Sequence, residues 1–165
     1  MINEPNGVVG MSDGRADFDF FMGSWTAHCR SLRETLKGST TWEEFGSTTV
    51  AHTILGGLGN FEEFTIDFPS GPRPGVALRL FDPKSQQWSI YSADPKYGFQ
   101  SPMIGAFNEG RGEFYAHDLW EGRYIWSRVI WSEITPTSCH WEQAFSADGG
   151  KTWETNWISD FVRSE

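Results

Sequence analysis

Residues 123–162 read RYIWSRVIWSEITPTSCHWEQAFSADGGKTWETNWISDFV, and this stretch decides the fold. Apolar and polar residues alternate along the runs 123–131, 138–146 and 152–162, which Thr135-Pro136 and Asp148-Gly149-Gly150 separate. Alternation with a period of two is typical of half-buried strands, and Pro, Asp and Gly between such runs reverse the chain. The stretch therefore predicts three antiparallel strands joined by tight turns.

The same pattern extends over most of the chain. The 165 residues include 9 Trp, 13 Phe and 4 Tyr beside 18 Gly and 8 Pro, a mixture that favours pleated strands and tight turns. We predict an all-β fold of about ten strands that closes into an antiparallel up-and-down barrel, because closure hides both sheet edges and encloses a cavity. A short helical turn is predicted around 17–22. The predicted strands are approximately 25–32, 41–53, 61–67, 76–81, 87–93, 103–107, 113–118, 123–131, 138–146 and 152–162.

Length and charge exclude several classes of protein. A chain of 165 residues is the size of one domain, which we divide into a flexible N-terminal segment over 1–16 and a barrel over 17–165. No uncharged apolar run approaches the ~20 residues that span a bilayer. The 13 Lys and Arg against 22 Asp and Glu give a net charge of −9, which repels nucleic acids and acidic lipids. We expect neither nucleic acid nor membrane as a partner and, since the N-terminus has no signal or transit pattern, a cytoplasmic location.

Motifs with familiar chemistry are incomplete in this sequence. Cys29 and Cys139 are too few for a disulfide scaffold or a zinc ribbon, so we expect reduced thiols, with a single disulfide as the alternative. The four histidines do not show metal-ligand spacing, and no helix pattern follows the glycine-rich residues 55–60, as a phosphate-binding loop requires. We therefore expect no metal, and no cofactor unless the protein binds haem.

The segment Asp17–Trp25, DFDFFMGSW, resembles the closing turn and Gly-x-Trp that open lipocalins and other calycins. In that superfamily the Trp closes the barrel floor and a cation near the last strand packs across its ring, which the resemblance assigns to Trp25 and Arg163. From residue 17 to residue 163 the chain resembles an uncharacterised bacterial lipocalin-like family, which shares this opening, Ile54–Gly59 and the Gly149–Trp153 hairpin. The resemblance implies a lipocalin-type barrel and brings no activity with it.

A second resemblance concerns Ser146–Trp153, SADGGKTW, which is similar to the Asp-box of sialidases and related propellers. In those proteins the box is a hairpin device: its Asp accepts backbone N–H bonds and its glycines take positive φ. One box in 165 residues does not make a propeller. We interpret the segment as the turn that joins the last two strands.

A ligand site in such a barrel lies on the strand faces that point inward. With Trp25 inward, we expect the faces rich in bulky apolar groups to line the lumen, among them Val76, Leu78 and Leu80. On this face Arg128 and Gln143 are polar groups among aromatic ones and suit the polar end of an aromatic or acyl ligand, the alternative being that both are structural. The predicted ligand-binding residues are Trp88, Tyr124, Trp126, Arg128, Trp141 and Gln143.

The opposite strand faces give a competing hypothesis. There His117, Glu142 and Asn156 are candidate catalytic residues, since a carboxylate with a raised pKa in an apolar cavity can act with His as acid and base. Such a site suits a cofactor-independent lyase, isomerase or hydratase. In this arrangement Trp141, Trp153 and Trp157 would point outward and form an apolar band for a homodimer. The simpler alternative is that the faces of His117, Glu142 and Asn156 are the solvent side of an acidic protein.

Three functions therefore remain open. Binding of a small apolar or aromatic molecule in the cavity is the leading hypothesis, because the sequence has a high aromatic content and no strong catalytic motif. The acid–base enzyme is the first alternative. The second is a haem-binding barrel with His117 or His140 as the axial ligand.

Overall fold

The computed structural model describes residues 13–164, which contain eleven strands and two single-turn 3-10 helices. The prediction of a flexible segment over 1–16 falls mostly on residues outside this range and stays a prediction. Neither helix of the described residues is long enough to cross a membrane. The helices are Asp19–Phe21 and Leu55–Gly57; the strands are β1 (Gly23–Leu32), β2 (Trp42–Ile54), β3 (Gly59–Phe68), β4 (Gly71–Asp82), β5 (Gln87–Asp94), β6 (Gly98–Phe99), β7 (Met103–Asn108), β8 (Arg111–Trp120), β9 (Arg123–Ser132), β10 (Ser138–Ser146) and β11 (Glu154–Arg163).

Ten of these strands form one closed sheet in the order β4-β3-β2-β1-β11-β10-β9-β8-β7-β5. Pairing of β4 with β5 closes the barrel, and every neighbouring pair is antiparallel. Consecutive strands pair with each other except at one seam, where β1 pairs with β11. The predicted all-β, up-and-down barrel of about ten strands with a short N-terminal helical turn is therefore confirmed, and the two-residue β6 is an addition beside β5.

An aromatic cluster closes one end of the barrel, which we call the floor. The N-terminal turn inserts Phe18 and Phe21 between inward rings of the strands, so that Phe18 lies edge-on to Trp88 at 5.0 Å between ring centroids. Aromatic pairs in this arrangement add to the stability that comes from burial alone. The buried members of the cluster are Phe18, Phe21, Trp25, Ala51, Phe81, Trp88, Ile90, Phe114, Val129, Trp131 and Cys139.

The structure brings Trp25 and Arg163 together at this floor. Trp25 is buried and its Nε1 donates to the carbonyl oxygen of Phe21 at 2.8 Å. The guanidinium of Arg163 lies 4.2 Å from the Trp25 ring centroid, and it donates to the carbonyl oxygens of Phe20 and Met22 at 2.6 Å each. One cation therefore ties the last strand to both the first strand and the N-terminal turn.

Both cysteines are free and buried. Cys29 lies on β1 and Cys139 on β10, and β11 separates these strands, so the alternative of a disulfide between them is wrong. Burial raises the pKa of the Cys139 thiol to about 12. Cys139 is therefore a neutral apolar side chain at neutral pH.

The hairpin between β10 and β11 has the hydrogen bonds expected from its Asp-box-like sequence. Asp148 accepts from the backbone N–H groups of Lys151 and Thr152 at 3.1 and 2.9 Å and from the Thr152 hydroxyl at 2.6 Å. Gly149 and Gly150 have positive φ, which a side chain would strain. These hydrogen bonds, first those from Thr152, lower the pKa of Asp148 from 3.8 to about 2.

Asp148→Asn is expected to remove an acid-dependent contribution to stability. A carboxylate with a lowered pKa in the folded state stabilises the fold above its unfolded pKa of 3.8, and this contribution is lost as the pH falls towards about 2. The variant should therefore be less stable than wild type at pH 6. The difference in unfolding free energy should shrink as the pH falls from 3.8 towards about 2. Urea unfolding at a series of pH values measures it, and a gap that stays constant with pH contradicts this role of Asp148.

Candidate functional site

The candidate site is a cavity of about 1490 Å³ inside the barrel, above the floor. It opens at the other end, the mouth, where residues of the β1–β2, β3–β4, β5–β7 and β8–β9 connections line it. Inward side chains of most barrel strands form its wall. They include Phe64 and Ile66 of β3, Ile90 and Ser92 of β5, Trp141, Gln143 and Phe145 of β10, and Trp157, Ser159 and Phe161 of β11.

A buried ion pair lies at the base of the cavity. Arg79 on β4 and Glu62 on β3 are 3% and 6% exposed and form a direct salt bridge. Thr49 donates to the second oxygen of Glu62 at 2.8 Å, and Arg79 donates to Asn60 at 2.9 Å. The Arg79 guanidinium also lies 5.1–5.6 Å from the ring centroids of three floor aromatics. This network gives an otherwise apolar cavity base a compensated pair of charges.

Sequence reasoning missed this pair because it chose the other face of β4. Ala77, Arg79 and Phe81 are buried and point inward, so the expected inward orientation of Val76, Leu78 and Leu80 is wrong. Those three residues are half-buried on the outer side. A cation at the centre of the apolar run VALRLF was the available signal, since charged residues are seldom placed in such a run without a buried partner.

A row of small polar groups crosses one wall halfway up the cavity. Cys29 of β1 lies between Ser47 of β2 and Ser159 of β11, with S–O distances of 3.5 and 3.2 Å. Trp157 extends the row, since its Nε1 donates to the Ser159 hydroxyl at 3.0 Å. Because these groups satisfy one another, the row is polar without carrying a charge.

Trp141 and Gln143 line the cavity, as their predicted inward orientation requires. The Gln143 amide donates to the Asn156 side-chain oxygen at 2.9 Å. Asn156 is inward because β11 contains a bulge: Gln143 pairs with Trp157 and Ala144 with Thr155, which leaves Asn156 between them. A predicted ligand-binding residue and a candidate catalytic residue therefore meet on the same wall.

Trp88 belongs to the floor instead of the cavity wall. Its ring packs against Phe18 and Phe81, and its Nε1 donates to the carbonyl oxygen of Gly14 at 3.2 Å. Trp88 is therefore inward, as expected, but below the cavity. Its predicted binding role stays a prediction.

The expected inward orientation of Tyr124, Trp126 and Arg128 is wrong. Residues that pair across neighbouring strands share a face, and Arg128 pairs with Ala144 while Gln143 pairs with Val129. Gln143 is inward, so Arg128 is outward, where its guanidinium lies 4.4 Å from the Trp153 ring centroid. Tyr124 is 73% exposed. The inward face of β9 could not be identified from the sequence, because the strand has aromatic side chains on both faces. Trp131 is the aromatic residue of β9 that points inward.

The structure does not bring the three candidate catalytic residues together. His117 lies on the outer face of β8, stacked on Tyr124 at 5.3 Å between ring centroids, and Glu142 is on the outer face of β10. Asn156 lines the cavity on the other side of the sheet. Trp141 and Trp157 also line the cavity, so the outer band of three tryptophans is wrong.

His140 contacts two carboxylates, but these contacts also lie on the outer face of the barrel. Its Nδ1 lies 2.7 Å from Asp160 and its Nε2 lies 3.3 Å from Glu142. Burial lowers the pKa of His140, yet the hydrogen bonds to both carboxylates outweigh burial and raise it. All four histidines are within the described residues and none lines the cavity, so neither His117 nor His140 fits an axial haem ligand there.

A strap formed by the β1–β2 connection, residues 33–41, crosses part of the mouth. The backbone N–H of Leu36 donates to Glu154 at 2.6 Å, and Lys37 pairs with Glu121 at 3.4 Å. Arg123 donates to the Leu36 carbonyl oxygen at 3.5 Å. The strap is thus held to the start of β11 and to the β8–β9 turn.

The site that results is a wide cavity with an aromatic floor, a buried ion pair at its base, one polar row and a partly covered mouth. Gln143, Trp141 and Asn156 are the sequence-predicted residues that line it. Compared with models of known protein families and with curated proteins, the chain shows no match.

Proposed function

We propose that the protein binds a small, largely apolar or aromatic molecule inside the barrel. The observation that supports this most is the cavity of about 1490 Å³ between the aromatic floor and the mouth. Small-molecule sites are commonly concave spaces of about 300–1,000 Å³ with mostly apolar walls and a few polar groups. The cavity has room for such a molecule together with water.

The wall chemistry indicates what shape of ligand fits. Trp141, Trp157 and Phe145 offer ring surfaces, and planar ligands pack against such rings. Gln143 and Asn156 stand beside them as neutral hydrogen-bonding amides. A planar ring system with one or two polar substituents therefore matches the wall.

The contacts support binding more than either alternative. The deepest carboxylate on the cavity wall, Glu62, is held by Arg79 and Thr49, so it is not placed as a free base. His117 and Glu142 face away from the cavity. Among the described residues, no contact favours the acid–base enzyme or the haem barrel.

Mass spectrometry of the native protein under gentle conditions tests the proposal directly. A bound molecule adds its mass to that of the 18.7 kDa chain, and denaturation should release it. Titration with N-phenylnaphthylamine, an uncharged dye that brightens in apolar surroundings, covers the case of a protein purified empty. Saturable binding of one dye per chain is the expected result.

Ser92→Trp is expected to weaken dye binding about tenfold or more, because an indole takes up cavity volume that the ligand needs. Ser92 lines the cavity, whereas Ser89 lies on the same strand and pairs with the outward Leu80. Ser89→Trp is therefore the matched control and should leave the affinity unchanged. Fluorescence titration of both variants provides the measurement.

The comparison of the two variants also shows where the dye binds. Equal affinities in Ser92→Trp, Ser89→Trp and wild type would place the dye outside the cavity and count against the proposal. Circular dichroism melting of both variants shows whether each is folded. A protein that neither carries a ligand nor binds the dye contradicts the proposal altogether.

A further inference from the structure

The outer face of β7–β9 exposes an unusual number of large apolar side chains. Leu119 is 57% exposed, Trp126 is 40% exposed and Ile104 is 47% exposed. A soluble protein seldom leaves a large contiguous apolar patch uncovered unless the patch binds something. We call this patch the β8–β9 outer face, because most of its residues lie on these two strands. It consists of Tyr115, His117, Leu119, Tyr124 and Trp126, together with Ile104 of the neighbouring β7.

Strand register makes this face continuous. Leu119 pairs with Tyr124, His117 with Trp126, and Tyr115 with both Ile104 and Arg128. Paired residues share one side of the sheet, so these rows lie directly above one another. The imidazole of His117 stacks on the Tyr124 ring and lies 5.2 Å from the Trp126 ring centroid. The rings therefore form one layer on the sheet.

The charge of this face differs from that of the whole chain. The outward positions of β8 and β9 carry one carboxylate, Glu113, and two guanidinium groups, Arg111 and Arg128. The complete chain has a net charge of −9. A contact through this face brings two guanidinium groups and one carboxylate from each copy to the interface, which lowers the repulsion between two acidic chains.

We propose that the β8–β9 outer face binds a second copy of this chain in a two-fold symmetric dimer. Tyr124 and Arg128 are each two residues from Trp126 on the same strand. A two-fold axis that crosses the strands at the His117–Trp126 row places Tyr124 over Arg128 of the partner subunit, and the same contact forms a second time. A guanidinium over a tyrosine ring is a favourable pair.

The position of Arg128 within one chain is consistent with this arrangement. Its guanidinium lies over the Trp153 ring at 4.4 Å, and its Nε has no hydrogen-bond acceptor among residues 13–164. Trp153 thus holds the cation at the border of the apolar face. Most of this surface lies on the opposite side of the sheet wall from the cavity, and Leu119 is its member at the rim of the mouth.

Sedimentation velocity over a range of concentrations tests the proposal. Wild type is expected to shift from monomer to dimer, and Leu119→Glu to raise the dimer dissociation constant about a hundredfold, because both copies carry the added charge. Val162→Glu is the matched control, since Val162 is likewise 57% exposed and lies on the outer face of β11. It should leave the dissociation constant unchanged.

Each other outcome counts against a second copy as the occupant. A wild-type chain that stays monomeric up to about 100 µM leaves the face to a different partner and overturns the proposal. A dimer that Val162→Glu and Leu119→Glu weaken equally is formed elsewhere. Tyr124→Ala, which adds no charge, should also weaken the dimer, and unchanged thermal melting of the monomer shows that the substitution acts on association.

Discussion

Arg79→Met is expected to lower the free energy of unfolding by about 3–5 kcal/mol. The substitution keeps an unbranched apolar side chain but leaves the Glu62 carboxylate buried without its cation. It also removes the cation that lies against three floor rings. Urea unfolding followed by tryptophan fluorescence measures the loss, which is a large part of the 5–15 kcal/mol typical of a whole domain.

The double variant Arg79→Met with Glu62→Gln separates the charge from the shape of the site. Glutamine keeps an acceptor for the Thr49 hydroxyl but needs no counter-charge. We expect it to recover most of the stability that Arg79→Met loses, because the penalty comes from an unpaired buried charge. A double variant as unstable as the single one would show instead that Arg79 acts by filling space.

Trp25→Ala is expected to cost about 3–5 kcal/mol of unfolding free energy, as deletions of large buried aromatic side chains do. The indole is 1% exposed and stacks with the Phe21 ring at 5.4 Å between centroids. The Arg163 guanidinium also packs against the indole, 4.2 Å from its ring centroid. Loss of the indole therefore opens the floor and frees the last strand. Thermal and urea unfolding of the variant give the measurement.

Arg163→Ala provides the comparison for this floor. Arg163 donates charge-assisted hydrogen bonds to two carbonyl oxygens of the N-terminal turn, and such bonds contribute about 1.5–3 kcal/mol. We expect a loss in that range, below that of Trp25→Ala. A Trp25→Ala protein with wild-type stability would remove the assigned role of the indole in closing the barrel.

The strands could be predicted because their sequence pattern is local. Alternation and turn residues placed β9, β10 and β11 within two residues of their observed ends. The two-residue β6 has no pattern to recognise, since alternation needs several residues. Closure of the sheet followed from the need to hide two edges.

Which face of a strand points inward was predictable only where one face is clearly more apolar. Trp141 and Gln143 on β10 were placed inward correctly, whereas β9 has large rings on both sides. An error of one residue in the face assignment reverses every side chain of the strand, and this happened for β4 and β9. Asn156 was placed on the strand face opposite Trp157, whereas both residues line the cavity. The reason is a bulge in β11, and bulges have no reliable sequence pattern.

The seam between β1 and β11 has a consequence for how the chain folds. Every other barrel contact joins strands close in sequence and can form as soon as both exist, but residue 25 must find residue 163. Such a long-range pairing forms slowly, because closing the long intervening loop costs conformational entropy before the strand contacts stabilise the chain. During synthesis, β1 therefore waits with an open edge until β11 has left the ribosome. Dilution from urea should show a late kinetic phase in which Trp25 fluorescence changes, after most strand signal has formed, and this is the interval when the chain is most exposed to edge-to-edge aggregation.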